Sequence, residues 1–586
     1  MSLHRLVFAI ALAVPSTPAL AADAAARLQD LFAREWQARL KEEPQLATSV
    51  GVHDYDHLLA AEGPADYDRR AAAAAAYLAE LGTIDRGSLS PLDRDSAAIF
   101  ERQLRDQVES HRFGGHLIPL NADSGFHSEF ARLAESMPLR TVRDYENYVA
   151  RLRAFPRLVD DNVALMKEGL RRGMTPAQVA LRGVENTVAP HLVSDPEKSV
   201  LWKPFARFPV GVPVAEHARL RAAGREAIAG GAVAGYRRLH EFLTREYLPG
   251  LRKTLGASEM PDGRAYYDYL VRSFTTREDL DAEKVHQIGL GEVKRIRTEM
   301  DEVIKGLGFQ GDFAAFLEFL RTDPRFYPKT PEELLRQASF IAKRMDAKLP
   351  SLFRTLPRQP YGVEPVPDSI APKYTAGRYV GAPLGGTQAG TYWVNTYALE
   401  TRPLYNLEAL TLHEAVPGHH LQGALAKELE GIPPFRRYSY LSAFGEGWGL
   451  YSERLGLEAG FYQDPYSNFG RLTYEMWRAC RLVVDTGLHA QGWTRQQAMD
   501  YLAGNTALSL HEVETETDRY ISWPGQALSY KIGELTIRSL RKKAEEALGP
   551  RFDVRAFHDA VLLNGSVPLP VLEQAVDRYI AQAAGS

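Results

Sequence analysis

Apolar residues recur at three- and four-residue intervals through long stretches of this 586-residue chain, and that period restricts the fold to packed helices. The clearest stretches are Asp68-Arg69-Arg70 with the six alanines after it, Thr141 to Arg172, Glu278 to Ile304, Pro331 to Leu349 and Gln496 to Leu502. Strand signals are few and short. The best is Gly390 to Thr396, β-branched and aromatic, following the glycine-rich Gly385-Gly386-Thr387. Proline- and glycine-rich passages at 187–213 and 356–387 interrupt the helices and read as long loops or lobe boundaries. The pattern predicts a mainly α protein with a small β-sheet, a helical N-terminal half over 22–270 and a C-terminal half over 271–586.

The charge balance excludes some partners. A net charge of −4 with no basic block and no cysteine pair argues against nucleic acid. Residues 1–21 read as a secretory signal peptide: His4 and Arg5, the apolar run Leu6 to Val14, then Ala19-Leu20-Ala21 as a small-x-small cleavage site. The run is short for a membrane span, and no later segment is long and apolar enough for one. The expectation is an exported protein, periplasmic or secreted. The single cysteine, Cys480, forms no internal disulfide and reads as a small buried apolar residue.

The chemistry concentrates in Thr411 to Gln422, where His413-Glu414 is followed by Pro417, Gly418, His419 and His420. In a His-Glu-x-x-His helix the two histidines share one face and bind Zn²⁺, while the Glu acts as general base. Position 417 is proline instead. On an undistorted helix His419 would lie about 120° round from His413, and His420 nearly in line but about 10 Å further along. Pro417 removes a backbone donor and Gly418 bends cheaply, so Pro-Gly is where the helix should bulge or restart. A bulge would return His419 to the face of His413. A catalytic zinc needs three protein ligands, and the next acids are Glu446 and Glu453, seven residues apart and roughly on one helical face. Glu446 is the expected ligand and Glu453 the alternative.

His413-Glu414-Ala415, Pro417-Gly418-His419-His420 and Gln422, with Glu446-Gly447-Trp448, Arg519-Tyr520 and Pro524-Gly525-Gln526-Ala527-Leu528 before Tyr530, resemble the domain of unknown function 885 family of exported bacterial proteins. The likeness covers most of the mature chain. That family is similar to helical zinc metallopeptidases, including thimet oligopeptidase, carboxypeptidase Taq and angiotensin-converting enzyme. Dipeptidyl peptidase III has one extra residue before the terminal Gly-His of its motif, and this chain has two. The resemblance implies a helical bundle split by a deep cleft, a Zn²⁺ cofactor on His413, His419 and Glu446, and a peptide substrate. It also implies a catalytic tyrosine downstream, either Tyr530, the preferred candidate, or Tyr520.

Other residues are candidates around that centre. Asp485 and His489 are four apart, so the acid could orient the imidazole for catalysis or form a structural pair. In similar peptidases an edge strand before the metal helix holds extended substrate, which would put Tyr392 and Asn395 in the cleft beside His420 and Arg519. His511-Glu512-Val513-Glu514 reads as a solvated helix face. The expected activity is hydrolysis of short or unfolded peptides by metal-activated water, with Glu414 as base. The alternatives are a zinc amidohydrolase acting on other amides and an inactive peptide- or metal-binding protein of the same fold.

Overall fold

The computed structural model describes residues 18–122, 124–368, 370–382 and 388–585. Most of the expected signal peptide and Gly385-Gly386-Thr387 lie outside them. The protein is mainly α with one three-stranded sheet. The helices that frame the functional region are α1 (Pro18–Glu42), α2 (Pro91–Phe113), α3 (Val142–Arg172), α4 (Gly263–Thr275), α5 (Ala282–Gly306), α6 (Leu407–Glu414), α7 (His419–Glu428), α8 (Ser442–Glu458), α9 (Pro465–Ala490), α10 (Leu510–Ser522) and α11 (Ser529–Leu548). Local sequence explains their ends. At α3, Thr141 Oγ1 accepts from the Asp144 N–H and the Asp144 carboxylate accepts from the Thr141 N–H, a reciprocal cap. The same helix stops at Gly173, whose φ of 76° is cheap only for glycine.

One apolar core joins α1 and α2 to the C-terminal helices, while a second is built within Leu59 to Leu251. Apolar contact therefore runs across position 270. At the centre lies α9, buried on every side from Phe469 to His489. It is not wholly apolar: Arg471, Glu475, Arg478, Arg481, Asp485 and His489 recur at three- and four-residue spacing and form a polar stripe along a buried helix. Each charge on that stripe needs a partner. Glu475 has Lys531 on α11 at 2.9 Å, and Lys531 also reaches Glu292 on α5 at 3.1 Å and Glu534 at 2.9 Å. Burial opposes ionisation of Glu475, yet Lys531, Arg295 and Arg471 hold its pKa well below the usual carboxylate range. Cys480, on the same helix, is fully buried.

The sheet has the order β1-β3-β2, with β1 (Tyr361–Pro365) parallel and β2 (Gly377–Val380) antiparallel to β3 (Gly390–Val394). The strand expected at 390–396 is thus central, and β2 occupies an edge. This corrects two expectations. Tyr392 is fully buried beneath the sheet with its hydroxyl 3.4 Å from Thr411. Asn395 spends its amide on the carbonyls of Ala371, Tyr374 and Thr375, tying down the loop before β2. Neither lines the cavity described below. The passage at 356–387 holds β1 and β2, whose glycines and prolines hide the strand period. No helix of the described residues is long and apolar enough to cross a membrane.

Helices α8 and α11 cross in backbone contact at Gly447 and Gly533. A Cβ on Gly533 would sit 1.9 Å from the Ala443 carbonyl oxygen, so any side chain there must push the helices apart. Gly533→Ala is expected to destabilise the fold by about 2 kcal/mol or more, an overpacking cost that cannot relax into a rotamer change. Urea unfolding of the purified variant measures it, and an unchanged midpoint would contradict the close crossing.

Candidate metal centre

Helix α6 ends at Glu414 and α7 begins at His419, so the chain restarts rather than continuing through Pro417. Pro417 has no N–H to extend α6. A Cβ on Gly418 would fall 1.9 Å from the His413 carbonyl oxygen, so the turn closes only around glycine. Trp448, fully buried on α8, fastens the turn by donating from Nε1 to the Pro417 carbonyl at 2.8 Å.

The turn brings His419 back to His413, with ring centroids 4.7 Å apart and planes at 87°. Glu446 on α8 places Oε2 3.4 Å from His413 Nε2 and 3.3 Å from His419 Nε2. The ligand-capable atoms of these residues all lie within 4.8 Å of one another. Nitrogen and oxygen ligands held tetrahedrally about 2.0–2.1 Å from Zn²⁺ would be about 3.3 Å apart, so the spacing and the donor set fit that ion.

Glu453, the alternative ligand, takes a different place. Its Oε1 accepts from His413 Nδ1 at 2.8 Å and is also 3.2 Å from the Arg478 guanidinium. A carboxylate on the far nitrogen fixes the tautomer and aims Nε2 at Glu446. Burial alone would lower the His413 pKa, but Glu446 and Glu453 hold it up at about 10. Burial would raise that of Glu446, yet His419 and His413 hold it well below the usual range. The second Glu446 oxygen accepts from the Tyr440 hydroxyl at 3.1 Å.

His413, His419, Tyr440, Glu446 and Arg478 line a cavity of about 800 Å³, walled by β2, α6, α7, α8, α9, α10 and the start of α11, with Asp106 of α2 and Phe274 of α4 from the N-terminal half. Glu414 lines it too, its Oε2 accepting from the Tyr379 N–H of β2 at 2.8 Å. Tyr530 stacks 6.3 Å from His413 at 21°, and its hydroxyl accepts from Arg519 Nη2 at 3.1 Å. Arg519 is a lining residue as well.

The structure separates the remaining candidates from the cavity. His420 turns away to the sheet, its Nδ1 3.1 Å from the Tyr379 hydroxyl and its ring 4.5 Å from Tyr361, and burial pushes its pKa down to about 4. Tyr520 is a core tyrosine whose hydroxyl accepts from Trp477 Nε1 and Arg481 Nε, each at 2.7 Å. His489 has no exposure: Nδ1 accepts from the Ala257 N–H and Nε2 donates to the Tyr520 carbonyl, each at 3.0 Å, so burial pushes its pKa to about 3 without leaving a nitrogen for substrate. Asp485 does not orient it. That carboxylate accepts from the Tyr267 hydroxyl at 2.6 Å and the Gly525 N–H at 3.1 Å. Glu512 is buried 3.6 Å from Arg402 rather than solvated.

Sequence reasoning missed Tyr440, Tyr379 and the cations Arg478 and Arg481. For the arginines a signal existed: two charges three residues apart inside the otherwise apolar Trp477 to Val484 run are costly unless the interior uses them.

The fold and the site define a mainly α protein with two histidines and a glutamate converging in an internal cavity. The chain belongs to the family described as bacterial protein of unknown function (DUF885), which matches residues 44–576. It is similar in structure to a "putative lipoprotein" from Colwellia psychrerythraea, at 28% identity and a TM-score of 0.89, covering 95% of this chain and 99% of that one. A "putative lipoprotein of unknown function" from Shewanella oneidensis shares the fold at 17% identity and a TM-score of 0.60, covering 94% and 99%. No curated protein matches the chain.

Two outcomes follow from this geometry. A Cβ on Gly449 would lie 2.6 Å from His413 Cε1, so Gly449→Ala should displace the imidazole and lower any zinc affinity of the centre about 10-fold or more, whereas His420→Ala should change it little. Parallel zinc titrations compare them, and a larger loss from His420→Ala would relocate the second histidine. The other concerns pH. Burial lifts the Asp485 carboxyl to about 7 against the Tyr267 and Gly525 donors, while an unfolded Asp titrates near 3.9. Between those values the folded protein keeps a proton the unfolded chain has lost, so this group's contribution to stability falls as pH rises and levels off above about 7. Wild type should lose roughly 2–3 kcal/mol relative to Asp485→Asn between pH 5 and pH 8 in urea unfolding. Parallel profiles would remove Asp485 as the cause.

Proposed function

We propose that this protein is an exported zinc-dependent peptidase acting on short or unfolded peptides. The observation that carries the reading is the convergence of His413 Nε2, His419 Nε2 and Glu446 Oε2 at 3.3–3.4 Å beside a cavity-lining Glu414. Zinc held by these three would supply the Lewis acidity that activates water and polarises an amide carbonyl. The chain's own residues would do the rest. Glu414, with Oε2 held by the Tyr379 N–H, accepts a proton from the attacking water and passes it to the leaving amine. Tyr530 has a lone pair engaged by Arg519, which leaves its O–H to donate to the oxygen that gains charge. Gly377, Arg378 and Tyr379 of the edge strand β2 line the cavity, where backbone groups other than the Tyr379 N–H would pair with an extended peptide. A cavity of about 800 Å³ admits a short segment of chain and excludes a folded domain. Export rests on the signal-like pattern of residues 1–21 and agrees with the lipoprotein names of the two structural relatives.

Mature protein is expected to hold about one zinc per chain, and Glu414→Gln should keep that zinc while losing peptide hydrolysis by about 100-fold or more, because the amide cannot take the proton. Metal analysis and a peptide-cleavage assay on the same preparations decide it. Hydrolysis unchanged in the variant would put the base elsewhere, and no zinc after reconstitution would end the reading.

A further inference from the structure

A second cavity, of about 430 Å³, shares Ser124, Glu129, Phe274 and Trp523 with the cavity of the metal centre, so the two meet at these residues. At the junction the Phe274 and Trp523 rings stand edge to face, with centroids 6.4 Å apart. Leu120, Phe126, Met260 and Leu270 add apolar surface to the wall beyond them. A side chain entering from the metal centre therefore passes an aromatic pair and meets a wall that is part apolar and part polar.

The charged groups of that wall are few. Among the residues that line the second cavity only Glu62, Glu129 and Arg252 carry charge. Arg252 is occupied: Nε donates to the Thr175 carbonyl and Nη1 to the Thr254 carbonyl, each at 2.7 Å, and Glu259 is the acid that acts on it. Glu62 has Arg70, Asn162 and Tyr67 as neighbours that lower its pKa against the larger effect of burial. In the first cavity Glu414 and Glu446 belong to the metal centre, and Asp106 faces Arg102 at 3.5 Å.

Glu129 differs from all of these. Its side chain lines both cavities, and its carboxylate makes no hydrogen bond or ion pair among the described residues. Arg132, the cation that acts on it, is paired with Glu135 at 2.8 Å and lies over the Trp393 ring. Burial first, and Glu62 second, raise the Glu129 pKa, a penalty on the anion that an entering cation would offset. Asn162 is a second, independent sign. It is fully buried, lines the same cavity and gives Nδ2 to the Leu158 carbonyl at 2.9 Å, yet its Oδ1 has no donor among the described residues. A buried acceptor without a donor is costly, and an N–H group that enters the cavity satisfies it. An acid without a cation and an acceptor without a donor suit one ligand group, a positively charged nitrogen, and the aromatic junction suits an alkyl stem behind it.

Building on the peptidase reading, we propose that the second cavity is a side-chain subsite of the cleft that takes a basic residue of the peptide, with its stem between Phe274 and Trp523 and its cationic tip on Glu129. The substrates are then short or unfolded peptides that contain lysine or arginine.

Binding tests this separately from turnover. Glu414→Gln protein is titrated calorimetrically with alanine tetrapeptides blocked at both ends that carry lysine, norleucine or glutamate at one internal position, and with an all-alanine peptide whose N-terminus is free. The lysine peptide should bind at least about 10-fold tighter than the norleucine peptide, as expected for a charge-assisted contact to a carboxylate. Adding Glu129→Gln should bring those two within about threefold of each other at unchanged zinc content, and adding Glu129→Lys should make the glutamate peptide the tighter binder. Equal affinity of the lysine and norleucine peptides in the parent overturns the proposal, as does a lysine preference that survives Glu129→Gln. A free-amine alanine peptide that binds as tightly as the lysine peptide overturns the side-chain assignment and gives Glu129 to the peptide N-terminus. Binding of none of the peptides overturns it as well. Lysine preference with no hydrolysis by wild type would count against the peptidase reading alone, and hydrolysis with no such preference would count against this one alone.

Discussion

His413 is clamped from both sides, and the architecture of the site follows from that clamp. Glu453 takes Nδ1 at 2.8 Å, Glu446 faces Nε2 at 3.4 Å, and both acids come from α8. They are seven residues apart, two turns of one helix, so a single rigid element presents one carboxylate to each edge of the same ring. The ring fits only because Gly449, between them on that helix, has no side chain. α8 must therefore lie against α6, and the glycine crossing with α11 brings Tyr530 up behind His413. Packing, orientation of the imidazole and placement of the tyrosine are one arrangement.

Burying that clamp requires charges that are themselves compensated. Arg478 balances Glu453 from α9, and further along the same stripe Lys531, Glu475, Glu292 and Glu534 tie α9 to α5 and α11. Such networks need not add net stability, since desolvation consumes most of the Coulomb gain. Their effect is on register: sliding α9 by one residue would strand several charges at once. A helix buried on all sides would otherwise have little to fix its rotation, and here the polar stripe supplies that information.

The helical fold was readable because long periodic stretches declare themselves. Thr141 to Arg172 appears as Val142–Arg172 with its cap, and the alanine-rich segment forms part of Pro64–Leu81. The sheet was read in part: β3 stood out by composition, but β1 and β2 are short and broken by glycine and proline, and strand order depends on pairing partners that no local pattern encodes. The same limit explains Tyr392 and Asn395, whose identities suit a cleft as well as a core. At the centre, Pro417-Gly418 announced a break, and the break does juxtapose His413, His419 and Glu446. What spacing could not separate was the direction of each side chain around an irregular turn. His420, one residue on, points to the sheet. Asp485 and His489 share a helix face yet pair with other elements.

The same clamp fixes the geometry of the site. Glu446 and Glu453 hold the His413 pKa up at about 10 against its burial, so both carboxylates press on one ring. Under the zinc reading these donors would stand in place before an ion arrived, and binding would spend little chain entropy. The lone turn that delivers His419 is held by the Trp448 contact to Pro417 and by the absence of a Cβ at Gly418. Trp448 and Gly418 thus set the spacing of His413, His419 and Glu446 without joining them.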